Sequence, residues 1–369
     1  TLTNKTLTTP TLTGTAVVAS LDISGDIDVD GTTNLDVVDI DGAVDMASTL
    51  AVSGTLGVTG IITGSAGYAN HGVGTDNVAF GNAALDSLSS GAGNVGIGDS
   101  AATALSSGSN NIAIGRDAMN AGVVTGGDNV GVGRSTLAAL TSASRNVALG
   151  TLALNANTVG AKNVAIGMDA LKTNVDGSRS VAIGDSALLA QDPASAINMY
   201  NTAVGHGAGS GVTTGVLNTL VGGLAGDALT SGNNNTALGY LALSADTLGD
   251  RNVAIGNNAL QAQNFTSSTD SYNVAVGFLA GGAITTGRNN TLIGGLAGDA
   301  LTDADANVAV GYLALSGDTL GSKSVAIGQQ ALHEQNFTSA TDAHNIAIGY
   351  QTGRLVTTGI KNTLIGGLA

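Results

Sequence analysis

Asn252-Val253-Ala254-Ile255-Gly256 is one of 17 copies of a pentapeptide. Asn is followed by a β-branched residue, usually a small residue, an aliphatic residue and Gly. Val, Ile or Thr fills the second position in all copies, and the fourth is aliphatic except at Phe80. Asn opens 15 copies and Ser180 and Ser324 open the others, while the closing Gly never varies. The alternation has the period of a short strand, and β-branched residues suit a pleated, half-buried surface. It predicts that Val253 and Ile255 point inward and Ala254 outward. Gly184, Gly205, Gly256, Gly277, Gly328 and Gly349 are expected to close their copies in a turn with positive φ or a close backbone approach. Asn at one place in coil after coil predicts an amide ladder.

The closing glycines are spaced by 17 residues, with one step of 18 and three of 21. The long steps end at Gly205, Gly277 and Gly349, so coils group into 72-residue units at 129–200, 201–272 and 273–344. Three residues past the Gly stands Ala in 15 of the 17 copies, usually followed by Leu, as in Ala259-Leu260. That pair reads as a second inward-facing segment. One coil cannot bury its apolar face alone, but stacked coils bury it against each other. The predicted fold is all-β: a parallel β-solenoid of 17 coils of about 17 residues over 71–369, roughly 80 Å long at about 4.8 Å per coil. Gly inside every candidate helix argues against a helical repeat.

Composition agrees. Of 369 residues 56 are Gly, 43% are hydrophobic and 3% aromatic, which allows a thin aliphatic core. Collagen is excluded, because there are two prolines and no glycine at every third residue. The formal net charge is −15 and residues 6–115 lack Lys and Arg, which disfavours nucleic acid and anionic membrane surfaces. Without Cys there are no disulfides, thiolate metal sites or cysteine nucleophiles. No apolar run reaches the roughly 18 residues of a membrane span, so no membrane insertion is expected. The start at Thr1 and the stop within a repeat read as a piece of a longer protein.

Residues 1–70 lack the pentapeptide. Their Thr/Leu and Asp-rich stretches with alternating aliphatics, as in Leu50-Ala51-Val52-Ser53-Gly54, predict a β-rich fibrous stalk of three intertwined chains. Trimerisation of the solenoid is also expected. The third pentapeptide position, small except at Leu220, Leu292 and Leu364, is expected on the outer face, where a lone rod would leave this apolar stripe wet.

The Asn-Val-Ala-Ile-Gly repeats followed by Ala-Leu resemble the head repeats of trimeric autotransporter adhesins, whose single-chain β-rolls pack side by side as trimers. They also look like longer-coiled repeats of phage tail fibres. The opening Leu2-Thr3-Asn4-Lys5-Thr6-Leu7-Thr8-Thr9-Pro10 and the Asp-Gly-rich stretch from Ile27 to Gly60 resemble tail-fibre stalks. The resemblance implies a homotrimeric structural fibre for reach and host attachment, in a virion or at a cell surface. The long coil favours a virion fibre, with a bacterial surface adhesin as the alternative.

Candidate chemistry is sparse. Asp26, Asp28 and Asp30 have the spacing of a calcium loop, but Val37 replaces its closing carboxylate and Ile27 and Val29 suit a strand with a wet acidic face. The four histidines form no i,i+4 pair, Glu334 is the one Glu, and no nucleophile elbow occurs. No enzyme activity, cofactor or metal is expected, a carbohydrate-active solenoid enzyme being the remote alternative. The long coils 192–200, 264–272 and 336–344 predict bulges on one edge. There Tyr200, Phe265, Tyr272, Phe337 and His344 are candidates either to touch a host glycan or protein or to cover the coil edge. Turn positions such as Asp246 are expected to be exposed and to tolerate change within roughly 0.5 kcal/mol.

Overall fold

A computed structural model describes residues 76–369. The stalk assigned to 1–70, with Asp26, Asp28 and Asp30, lies outside the described residues. Each pentapeptide supplies a three-residue strand, from Val78–Phe80 to Thr363–Ile365. All 17 form one parallel sheet in which each strand pairs with those of the coils before and after. The register is strict: Val253 pairs with Val274, Ala254 with Ala275 and Ile255 with Val276. Among the described residues there is no helix. The chain over this region is a parallel β-solenoid.

The Asn column forms the expected ladder. The Asn235 backbone N–H donates to Asn218 Oδ1 (2.9 Å), its Nδ2 donates to the Gly249 carbonyl (2.9 Å), and its Oδ1 accepts the Asn252 N–H (3.0 Å). These side chains are buried. Each satisfies backbone groups at the coil edge that would be costly to leave unpaired.

The strands face the other way from the sequence expectation. Ala254 is fully buried, whereas Val253 and Ile255 are half-buried on the outside. The interior is already filled from the turn. Ala259 and Leu260 both point inward, with Leu260 at φ 49°. A Leu in this left-handed conformation is unfavourable on its own, and its burial offsets the cost. Its counterpart Leu85 reaches across to the next strand, so a methyl group on Gly96 at the third position would lie 3.0 Å from Leu85 Cγ. Only a small side chain fits opposite such a leucine.

The three larger third-position residues are therefore core residues, not an outer stripe. Leu220 and Leu292 are fully buried and Leu364 packs partly buried against the core. The turn compensates, because Gly209 and Gly226 replace the usual leucine on either side of Leu220. A Cβ there would lie 2.6 and 2.8 Å from its methyls, and Gly281 and Gly298 flank Leu292 in the same way. Volume moves from turn to strand and the total is conserved. Since no side chain at the flanking glycines can close the gap, Leu292→Ala should cost about 3–5 kcal/mol, measured by thermal denaturation.

Candidate functional site

The long coils are the irregular feature of an otherwise uniform rod, and buried polar anchors position them. The seventh residue after the closing Gly belongs to the core and is Leu in many coils (Leu88, Leu105, Leu140, Leu229, Leu301). In the coils around each insertion it is polar. Asp246 is fully buried there, not exposed as its polarity suggested. Its Oδ1 accepts the Gly249 N–H (3.0 Å) and the Phe265 N–H (3.3 Å), and its Oδ2 accepts Gln263 Nε2 (2.6 Å). Gln263 Oε1 in turn accepts Asn273 Nδ2 (2.8 Å), tying the network to the ladder. Asp318, Gly321, Gln335 and Phe337 repeat the arrangement 72 residues on.

The first long coil uses different residues for a chemical reason. Pro193 occupies the place of Phe265, two residues after the core Gln, and has no N–H to offer. The anchor one coil earlier is accordingly Asn174, which accepts Gln191 Nε2 (3.0 Å) through Oδ1 and donates through Nδ2 to the Gly177 carbonyl (2.8 Å). A carboxylate stands where a further amide must be received, and an amide where it need not be.

Phe265 and Phe337 are buried, so these two candidates for receptor contact pack the inserted segment onto the rod and do not present their rings. Thr247 Oγ1 adds a hydrogen bond to the Phe265 carbonyl (3.0 Å). Tyr200, Tyr272 and His344 are exposed at equivalent places, each beside a cationic residue of the preceding coil. Arg179 lies over the Tyr200 ring and Arg251 over the Tyr272 ring, both 5.6 Å from the centroid. Arg251 also pairs with Asp270, and Lys323 Nζ with Asp342 (2.5 Å), whose carboxyl the hydrogen bond from Lys323 holds below its usual pKa. Exposed pairs of this kind add little stability. They fix the outer side of each insertion. The inserted backbone is also pinned by short parallel pairs, Gly249–Asp250 with Thr269–Asp270 and Gly321–Ser322 with Thr341–Asp342.

The six glycines singled out in the sequence turn with φ between 131° and 141°. At Gly256 a Cβ would overlap the backbone carbonyl of Gly277 in the next coil. Both properties expected of the closing glycine, positive φ and close approach, hold at this position.

Burial raises the pKa of the Asp246 carboxyl above its ordinary value of 3.8, despite the donors around it. The folded chain then retains a proton at a pH where the unfolded chain has released it, so stability falls as pH rises from about 4 through the raised pKa. Burial raises the Asp227 and Asp299 carboxyls in the same direction, so Asp246→Asn should reduce that fall without abolishing it while lowering stability overall, which denaturation midpoints measured for both proteins between pH 4 and 7 would show.

Among the described residues no group of three or more His, Cys, Asp or Glu is placed to hold a metal ion. Among the same residues no helix is long and apolar enough to cross a membrane. His206, His333 and His344 lie apart on the rod, with His333 Nδ1 3.4 Å from Glu334 Oε1. No family model matches the chain, and no curated protein matches it.

Proposed function

We propose that this chain is the rod of a non-enzymatic attachment fibre, a tail fibre or similar virion appendage, in which three copies associate side by side and carry host-binding surfaces away from their base. The observation that supports this reading is the one-dimensional pairing of the sheet. Each strand bonds only to its two neighbours, so added coils add length without closing a cleft. The outer rows of the sheet supply a reason for association. Residues at the fourth pentapeptide position, among them Leu238, Ile293 and Ile348, form a partly exposed aliphatic row, flanked at the second position by Val, Ile or Thr, and a contiguous apolar strip of this kind marks an interaction surface. This face replaces the third-position stripe as the surface for trimer contact.

The pentapeptides speak also for a second reading, a bacterial surface adhesin built on the same kind of trimer. An antibody raised against residues 76–369 separates the two by labelling either virion appendages or the cell envelope. Native mass measurement should give three times the 35.7 kDa of one chain. A stable monomer would refute the side-by-side association.

A further inference from the structure

The residue immediately after the closing Gly forms a surface column, and its composition alternates in the nine coils from Gly222 on. There it reads Gly223, Tyr240, Asn257, Phe278, Gly295, Tyr312, Gln329, Tyr350, Gly367. Every second coil of this half carries an aromatic ring, whereas the eight earlier coils have no Phe or Tyr at this position and include Asp99, Arg116, Arg134 and Asp185. Tyr240, Phe278, Tyr312 and Tyr350 are 51–54% exposed, so each ring is offered to a partner and none is needed for the core. Four of the ten Phe and Tyr side chains of the chain stand in this one line.

The column is rigid. The carbonyl of each member accepts the amide of the following coil, as in Asn258 N–H to Tyr240 O (3.0 Å) and Gln330 N–H to Tyr312 O (2.9 Å). Two rings rest on glycine in the preceding coil: a Cβ on Gly223 would lie 3.4 Å from Tyr240 Cδ2, and one on Gly295 3.6 Å from Tyr312 Cδ2. Ring spacing is therefore two coils, about 9.6 Å. That is close to the length of one disaccharide unit in an extended 1,4-β-linked chain. Between the rings stand glycine or the amides of Asn257 and Gln329, which both donate and accept hydrogen bonds. No charged residue occurs in the column from 223 to 367.

We propose that this column is a binding platform for a neutral, extended polysaccharide of 1,4-β-linked pyranoses. Alternate sugar rings lay their C–H faces on the four aromatics, and hydroxyls of the intervening sugars meet the amides. Flat, preorganised rings lose little entropy on binding. The fourth-position row of the sheet, aliphatic in every coil from Ile97 on, suits contact between copies better than this column does. The inference deepens the reading of the chain as an attachment fibre and rests on it.

Isothermal titration with cellohexaose and chitohexaose, and with their disaccharides, tests the platform. At least one hexasaccharide should bind, and more tightly than its disaccharide, because only the longer chain spans successive rings. Replacing Tyr240, Phe278, Tyr312 and Tyr350 together by Ala should weaken binding about ten-fold or more with native mass unchanged. If that variant does not fold, Tyr312→Ala alone should still weaken binding several-fold, and Phe278→Tyr should preserve it. No binding by the unaltered chain, equal binding by the folded variants, or a change of native mass in them would overturn the proposal. A chain that binds but is monomeric would instead remove the trimer and leave the platform standing.

Discussion

Gly256→Val is expected to lower the stability of the rod by about 4 kcal/mol or more, a magnitude reserved for substitutions with an identifiable cause. Two causes combine here. The backbone at φ 133° strains any residue with a Cβ, at roughly 1–3 kcal/mol. In addition the new Cβ would run into the Gly277 carbonyl, which is backbone and cannot rotate away. The coils must separate locally, and the Val253–Val274 register beside them weakens. Thr338→Ala, on the exposed part of a long coil, provides the silent comparison within roughly 0.5 kcal/mol. Thermal melts of both variants decide the matter: equal, small shifts would mean that the glycine is a filler.

Asp246→Ala should cost about 3 kcal/mol and should loosen the 264–272 segment in particular. The substitution leaves the amides of Gly249 and Phe265 and the Gln263 side chain without their acceptor. Each buried donor left unpaired costs about 1–3 kcal/mol, reduced where water can enter. Hydrogen exchange at the Phe265 amide should accelerate strongly, while the Phe337 amide, held by the separate anchor Asp318, stays protected. Uniform acceleration at both amides would show that the anchors do not act locally.

The repeat, its strands, the parallel stacking and the Asn ladder were legible in the residues because each recurs at a fixed phase. The facing of the strand was not. Alternation separates Val253 and Ile255 from Ala254 but cannot say which side is inside when both are apolar. The deciding signal lay elsewhere in the sequence. Leu220 and Leu292 occur only where the turn leucine has become Gly in the same coil and the one before, at Gly209 and Gly226 and at Gly281 and Gly298. Such an exchange of volume makes sense only between residues that share an interior. Asp246 was misread for a related reason. Its polarity suggested solvent, yet the same column holds Leu88, Leu140 and Leu229, which marks it as core. The left-handed turn at Leu260 is not signalled by Leu, which disfavours that conformation, but by the glycines of the same column, Gly209, Gly226, Gly281 and Gly298, all at positive φ. Of the residues suggested for surface contact, Tyr200, Tyr272 and His344 lie outside and Phe265 and Phe337 inside, a split set by the anchor beneath each Phe. The aromatic column is legible when the residue after each closing glycine is aligned, a position whose variety from coil to coil carries no fold signal.

The central claim is a stack of coils with Ala254 and Leu260 inside and Val253 and Ile255 outside. An electron cryomicroscopy map of the rod that resolves individual strands tests it most directly. The account predicts 17 layers about 4.8 Å apart over residues 76–369, with an Asn column along the buried edge and the Val253 and Ile255 side chains on the outer face. Density with Val253 and Ile255 directed inward, or layers that do not follow the 17-residue register, would contradict it.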